Sequence, residues 1–236
     1  MCLILFAVEP SDDCSLIVAA NRDEQHARAT LAADYWQDLP GILGGRDLVA
    51  GGTWLGLSQS GRFAAVTNFA ETPPDPIPPR SRGELTADFL ASTSDCESYL
   101  NIVQSRAAEY RGFNLLISDG ESVYYYSNRN SGAKKLSRGY YGLSNQLLDC
   151  DWPKVIQGRE QIKREITAGE NQLTERLFNM LRFEGDDTPH SGKFILGDRY
   201  GTSVSSVVLQ TKQGAWFEER GFDPKGTQVR SKIFEV

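Results

Sequence analysis

The sequence predicts an α+β fold whose first strand begins at the N-terminus of the chain. The expected architecture is a four-layer αββα sandwich of two antiparallel sheets, forming one domain over residues 1–236. Three observations lead there. Short apolar runs come in pairs joined by Gly, Pro or Asp, the pattern of hairpins. Two pairs of amphipathic helical segments lie between groups of hairpins, so the strict strand–helix alternation of a doubly wound parallel sheet is missing. Several strands are apolar without interruption, which requires cover on both faces.

Taken in order, Cys2 to Val8 and Ser15 to Ala20 form the first hairpin around Glu9-Pro10-Ser11-Asp12-Asp13. The polar string Asn21-Arg22-Asp23-Glu24-Gln25-His26 follows the second strand at once. A second hairpin joins Thr53–Ser58 to Arg62–Asn68 through Gln59-Ser60-Gly61, and Gly51-Gly52 ahead of it suits a close backbone approach. Five prolines between Thr72 and Pro79 exclude helix and central strand there and predict an exposed, stiff loop. Helices are expected at Gly83–Ala91 and Cys96–Tyr110, then strands at Phe113–Ser118, Ser122–Ser127 and Tyr140–Ser144. A second helix pair, Trp152–Ala168 and Leu173–Leu181, starts at Asp151-Trp152-Pro153. Strands at Ser203–Thr211, Ala215–Arg220 and Gln228–Phe234 close the chain.

Composition narrows the function classes. The net charge is −6 and the basic residues are scattered, so no footprint for nucleic acid is present. No run of about 18 apolar residues occurs, and the apolar start is too short for a signal-peptide core. The expectation is a cytoplasmic protein with no integral membrane segment. Four cysteines, at 2, 14, 96 and 150, form no CxxC pair, and the only histidines are His26 and His190. A disulfide scaffold or His-rich metal site is therefore not expected.

Cys2 is the leading chemical candidate. Removal of Met1 would place a thiol and a free α-amine on one residue, and an α-amine with a pKa near ~7.7–8.0 acts as a base at neutral pH. Hairpin geometry brings Arg22 and Asp23 towards it: Arg22 can lower the thiol pKa and Asp23 can orient the amine. Read alone, Cys2 is also a small buried hydrophobe, and the Arg22–Asp23 string an ion-pair network capping the hairpin. Asn68 and Asn145 each close an apolar run. Their amide N–H groups suit an oxyanion, and asparagine also suits a turn.

The ordered segments Met1-Cys2-Leu3-Ile4, Ala19-Ala20-Asn21-Arg22-Asp23-Glu24, Gly51-Gly52-Thr53-Trp54-Leu55-Gly56, Ala65-Val66-Thr67-Asn68, Arg82-Gly83-Glu84-Leu85, Gly112-Phe113-Asn114-Leu115, Tyr141-Gly142-Leu143-Ser144-Asn145 and Tyr200-Gly201-Thr202 together resemble the NRDE family. That family includes the transport-and-Golgi-organisation 2 proteins. It is similar to the N-terminal-nucleophile hydrolases, among them choloylglycine and penicillin V amidohydrolases. The resemblance implies catalytic positions at Cys2, Arg22, Asp23, Asn68 and Asn145, with Arg199 or Arg230 as a late arginine.

Two functions follow as expectations. The first is a cysteine hydrolase of non-peptide amide bonds, which needs no cofactor: Cys2 is acylated, Asn68 or Asn145 holds the oxyanion, and water releases the acyl group. The alternative is a non-enzymatic haem, acyl-CoA or lipid binding or trafficking protein, with aromatic surface from Trp36, Trp54, Phe69, Tyr124, Tyr125 and Tyr126. Under that alternative, Cys2, His26 or His190 would be available to haem iron. The expected partner is accordingly a small amide or an amphipathic ligand.

Overall fold

The computed structural model describes residues 2–73 and 80–236. Met1 and most of the proline-rich stretch expected as an exposed loop lie outside these residues. The chain divides into two compact units interleaved in sequence. The first comprises residues 1–27, 138–144 and 148–236; the second comprises residues 28–137 and 145–147.

The first unit is built on a six-stranded antiparallel sheet. Its strands are β1 (Leu3–Val8), β2 (Cys14–Gln25), β10 (Gly139–Leu143), β11 (Tyr200–Thr211), β12 (Gly214–Phe222) and β13 (Gln228–Glu235). Their spatial order is β10-β1-β2-β11-β12-β13. The N-terminal strand is thus interior, next to the edge strand β10 on one side and paired with β2 on the other.

Helices α3 (Pro153–Thr167) and α4 (Leu173–Leu181) cover one face. Strand periodicity places Leu3, Leu5, Ala7, Ile17, Ala19 and Val207 on that face, against Val155, Ile162, Leu177, Phe178 and Leu181 of the helices. Burying each Leu, Ile, Val or Phe side chain among them stabilises by roughly 1.5–3 kcal/mol. Helix α3 lies close to β1 because Gly158 has no side chain: a Cβ there would come within 2.7 Å of Leu5 Cδ1. Ile4, Phe6, Val18, Ala20 and Val208, on the opposite face, are buried as well.

The second unit holds a seven-stranded sheet running β3 to β9 in sequence order. Its strands are β3 (Thr30–Tyr35), β4 (Ile42–Asp47), β5 (Leu55–Ser58), β6 (Phe63–Asn68), β7 (Phe113–Ser118), β8 (Val123–Ser127) and β9 (Lys134–Leu136). Helices α1 (Gly83–Ala91) and α2 (Cys96–Ser105) pack their Leu85, Phe89, Leu100 and Val103 against Ala64, Val66, Phe113, Leu115 and Ile117. The close approach expected at Gly51-Gly52 is present. A Cβ on Gly52 would stand 2.3 Å from the carbonyl carbon of Gly83, at the start of α1.

Three expectations are corrected. Strand β2 does not stop before the polar string but carries it, because Asp23, Glu24 and Gln25 stay paired with Thr202, Gly201 and Tyr200 of β11. The helix expected to reach Tyr110 ends at Ser105, followed by one 3-10 turn over Ala107–Glu109. Strands β3, β4 and β9 are additional to those read from the sequence.

Candidate functional site

Cys2 stands just before β1, half-buried, and its surroundings are set by the strands on either side. The register pairs Leu3 with Asn21, so residue 2 meets the polar end of β2. On the β10 side, the hydroxyl of Ser144 donates to the Cys2 carbonyl at 2.7 Å. Burial pushes the Cys2 thiol up, and the Asp23 carboxylate adds to this. The backbone N–H of Asp23, which hydrogen-bonds to the sulfur, and the Arg22 guanidinium oppose it. The resting thiol is therefore protonated at neutral pH, and nucleophilic attack requires a proton acceptor beside it.

Strand alternation separates the four residues Asn21 to Glu24 into two roles. Asn21 and Asp23 point to the helix-covered face, while Arg22 and Glu24 point to the other. Asn21 is a structural clamp. Its amide donates to Leu181 O at 3.0 Å and Lys193 O at 2.7 Å, and its Oδ1 accepts from Ser205 Oγ at 2.5 Å. Arg22 lies along the opposite face, reaching Ser203 Oγ and Glu24 Oε2, each at 3.4 Å. Opposite Arg22, β11 shifts register between Thr202 and Val204. Such a bulge redirects side chains locally.

Asp23 is buried and accepts a 2.6 Å hydrogen bond from Thr202 Oγ1. Burial raises its pKa, while the Thr202 bond and the nearby Lys154 ammonium pull it back down. Lys154 enters from the first turn of α3 and is 1% exposed. Burial lowers its pKa, countered by Asp23, Cys2 and Cys150. Asp23 and Lys154 are thus two buried titratable groups beside Cys2, each favouring the charged form of the other against the effect of burial, with Thr202 fixing the carboxyl group. The sequence reading did not identify Lys154, Thr202 or Ser144. The only available signals were a lysine inside the apolar Trp152-Pro153-Lys154-Val155 start of a helix and the Tyr200-Gly201-Thr202 segment.

In the second unit Asn68 and Asn145 lie together. The Asn145 side-chain amide donates to the Asn68 carbonyl at 2.8 Å, and Ala70 N–H donates to the Asn145 carbonyl at 2.7 Å. Asn145 is 4% exposed, whereas Asn68 is exposed at the end of β6. Asn114, on the neighbouring strand, is a further buried amide, donating to Thr67 Oγ1 at 3.1 Å and to Gln146 O at 3.0 Å.

The late arginines both belong to the first unit. Arg230 is on β13, separated from β2 by the two strands β11 and β12, with its guanidinium 3.6 Å from Glu219. Arg199 precedes β11, and its carbonyl accepts from His26 N–H at 3.0 Å.

Several aromatic residues considered as ligand surface are used in packing. Trp36 is buried and donates to Gly44 O, Tyr125 is buried and donates to Asn114 Oδ1, and Tyr126 is in the helix-side core. His26 Nε2 bonds Gly197 O at 3.0 Å, and His190 stacks on Trp152 with ring centroids 4.2 Å apart. Among the described residues no group of three or more His, Cys, Asp or Glu side chains is disposed to hold a metal ion. No helix among them is long and apolar enough to cross a membrane.

Comparison with known proteins agrees with this architecture. The chain is similar to a solved structure of the Caenorhabditis elegans N-acylethanolamine-hydrolyzing acid amidase orthologue, with a TM-score of 0.51 over 87% of this chain and 91% of that one. At 10% identity the likeness is one of fold, that of the N-terminal-nucleophile hydrolases. In sequence it is 40% identical to the Bos taurus Transport and Golgi organization protein 2 homolog, covering 100% of this chain and 99% of that protein. It is 37% identical to the Homo sapiens homolog over 95% and 94% of the two chains. It is 30% identical to the Drosophila melanogaster protein over 99% and 97%. Residues 1–224 match the family description Transport and Golgi organisation 2, and the chain belongs to that family.

Proposed function

We propose that this chain is a cysteine hydrolase of non-peptide amide bonds, working through an acyl-thioester on Cys2. The observation that carries the reading is the setting of Cys2. Its sulfur is hydrogen-bonded by the Asp23 N–H, its carbonyl is held by Ser144, and a buried Asp23–Lys154–Thr202 group lies beside it. The same fold in an amidase supports the choice of bond.

In this mechanism removal of Met1 frees the Cys2 α-amine, which accepts the thiol proton. The sulfur attacks the amide carbonyl, and the tetrahedral intermediate collapses to a thioester as the amine leaves with a proton from the Cys2 ammonium. Water, deprotonated by the same amine, then attacks the thioester and releases the acid and the thiol. Asp23 orients the amine, Lys154 favours the ionised form of Asp23, and Arg22 offsets the burial that holds the thiol protonated. Asn68 and Asn145 are the oxyanion donors that the sequence resemblance implies. The Asn145 amide donates to the Asn68 carbonyl, which holds the two residues together.

The test is release of the free acid from N-acyl amines of graded chain length. The wild type, processed to Cys2, should turn over and Cys2→Ala should not. Equal release by the two proteins, or none by a processed wild type across the series, would overturn the reading.

A further inference from the structure

A cavity of about 270 Å³ opens in the first unit between α3 and α4, just below the ~300–1,000 Å³ usual for small-molecule sites. Its wall includes Gln161, Arg164 and Glu165 of α3, Arg176 of α4, and Phe183 and Lys193 from the segment that follows. Lys193 is 1% exposed, and its Nζ is buried with no hydrogen-bond partner among the described residues. The chain fixes its position firmly. Lys193 N–H donates to Phe183 O at 2.8 Å, and its carbonyl accepts the Asn21 amide at 2.7 Å. The Phe183 ring lies 4.8 Å from the ammonium, a partial substitute for a counter-ion.

A buried ammonium without an acceptor is costly and rare. Glu165 is the one carboxylate in the wall, and it is engaged elsewhere. Its Oε2 lies 3.2 Å from Arg176 Nε, and its Oε1 lies 3.6 Å from Arg164. Arg176 in turn spends its terminal nitrogens on the carbonyls of Glu165, Gly169 and Asn171 in the α3–α4 connection. Lys193 and the exposed Arg164 therefore line the cavity as cations beyond what Glu165 balances. The side-chain amide oxygen Oε1 of Gln161 is a second buried polar atom of the lining with no hydrogen-bond partner among the described residues.

We infer that this cavity is a binding site for a small oxyanion, carried as a phosphate or carboxylate group, whose oxygens supply the acceptors that Lys193 Nζ lacks. Arg164 supplies the second positive charge at the mouth. The Gln161 Oε1 needs a donor, and a hydrogen phosphate oxygen provides one where an ionised carboxylate does not. Phosphate is accordingly expected to bind more tightly than carboxylate.

The test is calorimetric titration of the full chain with inorganic phosphate and, separately, with acetate, at matched ionic strength in a chloride background. Wild type should bind phosphate, Lys193→Met should weaken it at least tenfold, and Arg164→Ala should weaken it several-fold. Circular dichroism of each variant establishes that it is folded. Binding of acetate in preference to phosphate would retain the oxyanion site and assign it to carboxylates. Absence of binding by both anions, or equal affinity in wild type and a folded Lys193→Met, would overturn the inference. The readout does not involve Cys2, so loss of hydrolysis leaves this result independent.

Discussion

Thr202 and Asp23 are joined by a 2.6 Å hydrogen bond from a hydroxyl that also accepts the backbone N–H of Ile195 at 2.8 Å. One side chain therefore fixes a buried carboxylate and closes the connection between α4 and β11. Thr202→Val keeps the shape and removes both bonds, one of them to a charged group, at a cost of about 2–4 kcal/mol. Burial raises Asp23's folded pKa, so its ionisation opposes folding as pH rises through that pKa. Removing Thr202 raises the pKa further. The penalty of Thr202→Val should consequently be larger at pH 8 than at pH 4, measured by urea unfolding at both. An equal penalty would show that Thr202 does not support the charged form of Asp23.

Asn21 tests the division of the motif into structural and chemical halves. Its amide serves Leu181 O and Lys193 O, and its oxygen serves Ser205. Asn21→Ala leaves three buried groups without a partner and should destabilise by about 3 kcal/mol or more. Asn21→Asp should be worse, because a carboxylate cannot donate to the two carbonyls. Thermal unfolding that ranks wild type, alanine and aspartate in that order supports the clamp. Unchanged stability in either variant rejects it.

Lys193 yields a prediction of opposite sign. Burial, with Arg164 adding to it, depresses its pKa from 10.5 to about 8. A depressed folded pKa makes the folded state lose stability as pH falls from the unfolded value through about 8. Below that, the full penalty on the order of 3 kcal/mol remains. Lys193→Met should therefore stabilise the protein by up to about that amount at pH 7, with the gain fading near pH 10. Urea unfolding at pH 7 and pH 10 measures it. A destabilised Lys193→Met at pH 7 would contradict the burial argument.

The sequence revealed most elements whose apolar pattern is their own. The β1–β2 and β5–β6 hairpins, α1, α4 and β7 coincide with their predicted spans within a few residues, apart from the far end of β2. What local pattern could not show was pairing imposed from a distance. β2 remains a strand through Asp23-Glu24-Gln25 because Tyr200 to Thr202, some 180 residues on, pair with it. β3 was missed because only Ala33 is fully buried and the apolar Leu31 is exposed, and β4 because it contains Gly44-Gly45. β9, with three residues, is too short to show a period.

At the candidate site, Cys2 and Asp23 were legible from position and motif. Lys154 and Thr202 were not, because a helix-start lysine and a strand threonine are ordinary surface residues until the fold buries them beside a carboxylate. The resemblance named Asn145 as an oxyanion donor, and the structure adds a bond to the Asn68 carbonyl that sequence spacing does not reveal.

Cys2 can be tested against the other thiols of the same chain. Burial pushes Cys14 up to about 11 and raises Cys96 and Cys150 as well, and none of them adjoins an α-amine. The most direct measurement is intact and peptide mass spectrometry of protein processed to Cys2 after treatment with a thiol-acylating lactam probe. The account predicts one acyl adduct per chain, located on Cys2, absent from Cys2→Ala and slowed in Asp23→Asn. An unmodified Cys2, or acylation spread over Cys14 and Cys150 to the same extent, would contradict it.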